Sequence, residues 1–276
     1  MEQEATDVAQ FLALRIPTLC LSIRIASGAS VHSITQTQSR EYRSDCATPR
    51  LLPVEDAYQL WAPEYDTAPN PLFCLEERHL TPLLHPIAQR DVVDLGCGTG
   101  RWLARISGLH PRSLTGVDIS AAMLKPAAAR LGPDARLVQA DCLNTSLGTA
   151  SADSILASFL LSYVDDLDEL AREIARIARS GALVLISDVH PATREYGWKR
   201  TFRCAHQVIE IQTHPYQLHD LHAAMKEADF ELESSNECCF GDDERTIFFY
   251  AGRPDLYEAV MGLPVLFLAS YRRRPI

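Results

Sequence analysis

The stretch VVDLGCGTG, residues 92–100, decides how this chain is read. An apolar run of strand character is followed directly by glycines at 96, 98 and 100. Glycine lowers the stability of regular structure, so three in five positions mark a loop whose backbone must turn tightly or approach another group without a Cβ in the way. A buried strand, a glycine loop and then a helical pattern near 100–108 form the opening of an α/β unit.

Downstream, the rhythm continues. LTGVD at 114–118 reads as a second strand, and Ser120 caps a helix, AAMLKPAAARL, closed by Gly132. RLVQAD at 136–141 and DSILAS at 153–158 are further strands. Asp165 or Asp166 caps a helix with Leu167, Leu170, Ile174 and Ile177 on one face, Gly181 ends it, and ALVLISDV is a fifth strand. Strands alternating with helices predict a doubly wound, mostly parallel sheet. Residues 190–216 break the pattern, with aromatic, His and Arg side chains. A helix near 218–228, a strand at 230–239, an acidic solvent turn GDDE at 241–244 and a buried strand LPVLFLASY at 263–271 complete the chain.

Upstream, 18–26 (TLCLSIRIA) alternates strictly, as a half-buried strand does. SGAS at 27–30 turns it, VHSIT returns it, and 36–50 reads as a linker, so residues 1–50 form an appendage with a β-hairpin before a domain over 51–276. The row Leu19, Leu21, Ile23 and Ile25 needs a cover, either the chain's own sheet or lid or the same segment of a second copy. A homodimer through this appendage is the expectation. Residues 54–85 are helical but punctuated by prolines, with a helix within 74–84.

Bulk properties narrow the function. A net charge of −10 argues against non-specific nucleic-acid binding, which needs a basic face. Arg272, Arg273 and Arg274 read as a solvated end. The eight cysteines form no CxxC pair or Cys/His ligand spacing, which argues against a metal site and fits a reducing, cytoplasmic setting. No run approaches the ~20 apolar residues of a membrane span, and Glu2, Glu4, Asp7 and Arg15 spoil the resemblance of residues 11–23 to a signal peptide.

The glycine run is GxGxG, not the GxGxxG of dinucleotide sites, which disfavours nicotinamide redox chemistry. Asp118 ends the second strand, where a carboxylate can accept both hydroxyls of a ribose. At this point the sequence resembles the class I S-adenosylmethionine-dependent methyltransferases, more narrowly their small-molecule branch. VVDLGCGTG, GVDIS at 116–120, QADCL at 139–143, DSILASFLLSYVDD at 153–166 and WAPEYD at 61–66 carry the resemblance, in order and at matching spacing.

The resemblance implies a Rossmann-like sheet of seven strands, with the last antiparallel and inserted between the fifth strand and 230–239. It also implies S-adenosylmethionine as cofactor and assigns its contacts. Gly96, Gly98 and Gly100 wrap the methionine moiety, Cys97 is a small filler, and Asp94 anchors the loop or meets the ligand's ammonium through water. Asp118 holds the ribose, Ile119 and Met123 pack on adenine, and Asp141 accepts the adenine amine beside the Cys142 amide. Ser158 and Phe159 lie beside the sulfonium, and Tyr65 closes over the methionine end.

Methyl transfer is an in-line displacement that needs alignment and sometimes a base. His190 and Tyr163 are the candidate catalytic residues; Asp188, Arg203, His206 and His214 are further polar candidates. Residues 190–228 are expected to form a substrate lid, with Tyr196, Trp198 and Phe202 as an apolar wall and Arg200 and Arg203 drawing an acidic small-molecule acceptor. Two rival readings are a methyltransferase-like binding protein without catalysis, and arsenic or thiol methylation through Cys238 and Cys239. The second is weakened because adjacent strand residues face opposite ways.

Overall fold

The computed structural model describes residues 49–275 except 68 and 206. The strand at 18–26, its hairpin and the dimer contact expected there lie outside the described residues, as does His206.

The sheet follows from alternation along strands buried on both faces. In β2 (Asp91–Leu95), Val92 joins one core and Val93 the other. In β5 (Ala152–Ser158), Ile155 and Ala157 face the core that holds Val93, and Leu156 faces away. In β6 (Ala178–Val189), Val184 and Ile186 oppose Leu183 and Leu185. One core is closed by Leu170, Ile174 and Ile177 of α5 (Leu167–Ile177) and by Leu221 and Met225 of α6 (Leu218–Glu227). The other is closed by Trp102, Leu103 and Ile106 of α3 (Arg101–Ser107), with Ala127 and Leu131 of α4 (Ala121–Leu131).

With β1 (Arg50–Leu52), β3 (Ser113–Asp118), β4 (Arg136–Gln139), β7 (Thr201–Cys204), β8 (Gln207–Ile211), β9 (Phe230–Cys238) and β10 (Leu266–Arg273), two sheets form. The larger has seven strands in the order β4-β3-β2-β5-β6-β10-β9. Its first five strands are parallel, and β10 runs antiparallel to both β6 and β9, as expected. The smaller sheet has the order β1-β8-β7.

Local signals acted as read. Ser120 Oγ accepts from the Met123 amide, and Asp166 Oδ1 accepts from the Glu169 amide at 2.8 Å, each capping its helix. Three details differ. The helix α5 ends at Ile177, and Gly181 instead lies within β6 at φ +76°, where the register against β5 jumps from Ala178 to Leu183. The acidic GDDE is not a solvent turn. It opens α7 (Asp242–Tyr250), and Glu244 is fully buried, accepting from the Arg78 guanidinium at 2.8 Å and the Gly241 amide at 2.7 Å. A further helix, α8 (Pro254–Val260), delays the last strand to Leu266. Nor is the arginine run simply solvated: Arg272 pairs with Glu233 at 2.9 Å, and Arg273 lies over the Phe230 ring.

Upstream of the sheet, α1 (Val54–Trp61) and α2 (Pro71–Leu80) pack over its carboxyl edge. The excursion after β6 joins them: β8 runs parallel to β1, and Phe202 of β7 stacks on Trp61 of α1 at 4.8 Å between ring centroids. No helix among the described residues is long and apolar enough to cross a membrane.

Candidate functional site

The strand order reverses between β2 and β5: the chain winds outward through β3 and β4, then returns to the other side. Crevices at such a switch point are where open α/β sheets bind ligands. A cleft of about 270 Å³ lies there.

The glycine loop forms its floor. Gly96, Gly98 and Gly100 have φ of 69°, 54° and 76°, a region that other residues adopt only with strain. At Gly100 a Cβ would also come within 3.2 Å of the Ala127 Cβ, so this glycine lets α3 lie close against α4. The Gly96 and Cys97 amides donate to the Val117 carbonyl at 2.8 and 3.0 Å, fastening the loop to β3. Asp118 completes the fastening: its Oδ2 accepts from the Gly98 amide and its Oδ1 from the Ser120 amide, both at 2.8 Å. Burial pushes the Asp118 carboxyl above its usual range, opposed by these amides.

Ile119, Met123, Asp141, Cys142, Ser158 and Phe159 also line the cleft. Ile119 is 42% exposed despite its size, presenting an apolar face at the mouth. Asp141 Oδ1 accepts from the Leu143 amide at 2.9 Å. The far end is aromatic. The Tyr58 hydroxyl donates to the Tyr163 hydroxyl at 2.9 Å, and Tyr65 packs against Trp61, Tyr58 and Phe73. Burial raises the Tyr58 and Tyr163 phenols above their usual value, so both stay protonated. His214 lines this end and donates its amide to the Ser162 carbonyl at 2.8 Å.

Beside the cleft, a recess of about 30 Å³ is lined by Asp94, Cys97, Arg101 and Tyr65. Asp94 Oδ1 and Arg101 Nη1 are buried without a hydrogen-bond partner among the described residues. Burial drives the Asp94 carboxyl well above its usual range and holds the Cys97 thiol protonated. The Arg101 guanidinium lies 4.5 Å over the Phe73 ring and is paired with Glu76. Glu76 is fully buried. It accepts from Ser158 Oγ at 2.6 Å and Trp102 Nε1 at 3.1 Å, and also from Ser187 and Arg101, joining α2, α3, β5 and β6.

Of the candidates, Tyr163 and His214 reach the cleft, and His190 does not. His190 lines a separate cavity, where its Nδ1 accepts from the Ala192 amide at 3.2 Å and caps the turn Pro191–Arg194. Asp188 is fully buried and holds Arg200, and its Oδ2 accepts from the Ser162 amide at 2.9 Å. Arg200 is thus already paired, which corrects its expected role of drawing an acidic acceptor. Tyr196, Trp198 and Phe202 do not form one wall: Trp198 stacks on Phe240, and Phe202 on Trp61. Cys238 is buried and Cys239 exposed, so the two thiols do not converge.

Glu76, Arg101 and Tyr58 were not anticipated. Two signals were present. Arg101 follows the last loop glycine directly, and Glu76 interrupts the apolar stripe of Leu72, Leu75 and Leu80.

Residues 92–181 match a family described as "Methyltransferase domain". The demethylmenaquinone methyltransferase of Roseiflexus sp. (strain RS-1) is 32% identical over 156 residues, 52% of this chain and 65% of that protein. Across the curated relatives, the match covers between 42% and 65% of their length. A solved S-adenosylmethionine dependent methyltransferase from Mesorhizobium loti superposes with a TM-score of 0.59 at 23% identity, over 74% of this chain and 100% of that one. The [4+2]-cyclase SpnF superposes with a TM-score of 0.61 at 16% identity, over 81% and 96% of the two chains. The sheet order, the ordered motifs and these relatives agree: residues 92–181 match a methyltransferase domain, and the chain is similar to the class I S-adenosylmethionine-dependent methyltransferases.

Proposed function

We propose that the protein methylates a small-molecule acceptor on oxygen, nitrogen or carbon, with S-adenosylmethionine bound along the cleft. The observation that carries this reading is the recess at the head of the glycine loop. It holds one unpartnered carboxyl oxygen, on Asp94, and one unpartnered guanidinium nitrogen, on Arg101, among the described residues. That pair suits the ammonium and carboxylate of a methionine end.

S-adenosylmethionine, when bound, supplies a methyl group on a sulfonium, already activated for displacement. The chain's part is to hold and align. Asp118 takes the ribose hydroxyls while keeping its two amide bonds, since a carboxylate offers about four lone-pair sites. Ile119 and Met123 flank the adenine, and Asp141 and the Cys142 amide read its edge. Gly96, Gly98 and Gly100 shape the loop around the methionine moiety, with Cys97 filling behind. Tyr65 covers the methionine end, and Ser158 and Phe159 stand beside the reacting carbon.

Tyr163, kept protonated and tied to Tyr58, orients the acceptor. His214 is the cleft's candidate base where the nucleophile must lose a proton. Residues 190–228 act as the lid within the domain 51–276, with β7 and β8 joining β1 over α1. Similarity to a demethylmenaquinone methyltransferase supports a small acceptor.

Calorimetry with S-adenosylhomocysteine and a labelled-methyl screen of small acceptors test the reading. Micromolar binding with transfer to at least one acceptor is expected. A [4+2]-cyclase on the same fold makes non-transferring chemistry the second reading. Binding without transfer to any acceptor would favour it, and absence of binding would overturn both.

A further inference from the structure

An open basin of about 390 Å³ shares Arg101 with the recess beside the cleft, and Arg105, Arg130 and Asp66 complete its polar lining. Each of these arginines is already matched: Arg101 with Glu76, Arg105 with Glu77 and Arg130 with Asp66. That leaves the basin no cation without a carboxylate. The third pair differs from the other two in what it joins. Glu76 and Glu77 belong to the helix α2, whereas Asp66 follows Tyr65 in the turn that precedes it.

Arg130 bridges two parts of the chain with the two prongs of one guanidinium. Nη2 donates to Asp66 Oδ2 at 2.6 Å, and Nη1 donates to the Thr99 carbonyl at 3.0 Å. The helix α4 makes this reach possible. Its Ala127 packs against Gly100, where a Cβ would come within 3.2 Å, and Arg130 stands one helical turn on, on the same face. Thr99 is buried between two glycines at positive φ. A backbone so poor in side chains is conformationally free, and a fixed donor on its carbonyl restricts it.

On the other prong, Asp66 adjoins Tyr65, which lines both the cleft and the recess. Among the described residues, the Asp66–Arg130 contact is the one side-chain hydrogen bond or ion pair that ties residues 62–67 to another part of the chain. We propose that Arg130 is a positioning residue for the cofactor: it fixes the glycine loop at Thr99 and the turn at Asp66, and so keeps Tyr65 over the methionine end. The proposal rests on the methyl-transfer reading for the identity of the cofactor. A lysine would keep the charge but not the planar fork that reaches both acceptors at once. The two paired side chains are 34% and 29% exposed, and such a pair adds little to folding stability. Its loss should therefore show in cofactor retention rather than in melting.

For the test, S-adenosylhomocysteine is titrated into the full chain and then displaced in stopped flow. Tryptophan fluorescence follows both, since the Trp61 ring lies 4.8 Å from that of Tyr65. Asp66→Asn and Arg130→Gln are each expected to weaken binding about tenfold through faster release, with melting temperatures within about 3 °C of wild type. Arg130→Lys should fall between. The double variant should bind no worse than the weaker single one, because both substitutions cut the same tie. In a Tyr65→Ala background, Asp66→Asn should cause no further loss. In the labelled-methyl assay, KM for S-adenosylmethionine should rise while kcat and the acceptor KM are retained. Wild-type affinity in both single variants would overturn the proposal and leave the cofactor reading intact. Additive losses in the double variant, or losses that track a collapse in melting temperature, would overturn it too. A wild-type chain that does not bind S-adenosylhomocysteine would sink the methyl-transfer reading itself, and the positioning role with it.

Discussion

The two sides of the cleft are built by different kinds of contact. On the glycine-loop side, the holding bonds are short-range or between adjacent strands: Asp118 reaches Gly98 and Ser120, and Gly96 reaches Val117. On the side facing α1, α2 and the excursion, buried side chains far apart in sequence hold the structure. Glu76 meets Ser158, Ser187, Arg101 and Trp102; Asp188 meets Arg200 and Ser162; Tyr58 meets Tyr163. On the first side, backbone amides offset part of the cost of burying Asp118. The second buries whole ion pairs, which stand only while every partner is in place.

That contrast implies unequal responses to mutation. The largest effect is expected at Glu76. Glu76→Ala strands the Arg101 charge and removes the tie between α2, β5 and β6, at about 3–5 kcal/mol. A melting temperature lower by roughly 10 °C follows. A drop no larger than that of a surface substitution would break the comparison.

On the loop side, function should suffer more than folding. Asp118→Ala is expected to reduce S-adenosylhomocysteine affinity by roughly ten- to hundredfold, the worth of about 1.5–3 kcal/mol in charge-assisted bonds. Its melting point should fall much less than that of Glu76→Ala. Equal affinity in calorimetry would remove Asp118 from the ribose contact.

Asp94 sharpens the comparison further, because it lies on the loop strand yet is buried like the other side's charges. Burial raises its carboxyl well above the usual range, and Arg101 only partly opposes this. A folded value above the unfolded one, about 4, means that wild-type stability from this group is complete at lower pH. It is lost as pH rises from the unfolded value towards the folded one. Asn does not titrate. Asp94→Asn should therefore melt higher than wild type by an amount that grows from acid to neutral pH, about 1 kcal/mol or a few degrees at neutrality. Its S-adenosylhomocysteine affinity should fall. A stability difference that is flat with pH would show that Asp94 is not a destabilising buried carboxyl.

By itself, the sequence determined the alternating strands and helices, the caps at Ser120 and Asp166, the glycine loop and the antiparallel last strand implied by family resemblance. Residues such as Val92 and Val93, or Ser120 and Met123, act within one strand or one helical turn, so periodicity and spacing expose them. The cleft residues from Gly96 to Phe159 were assigned through the family resemblance, and the strand ends carry them to one edge of the sheet. Tertiary structure alone decided the rest. Glu244 read as solvent because nothing nearby in sequence announces Arg78, 166 residues away. His190 followed β6 as a site residue should, yet the cap it forms with Ala192 turned it into a neighbouring cavity. Arg200 read as a free cation until Asp188 was seen beneath it. Buried polar side chains need partners, and a chain supplies them from any distance, so their identity becomes visible only once packing has brought them together.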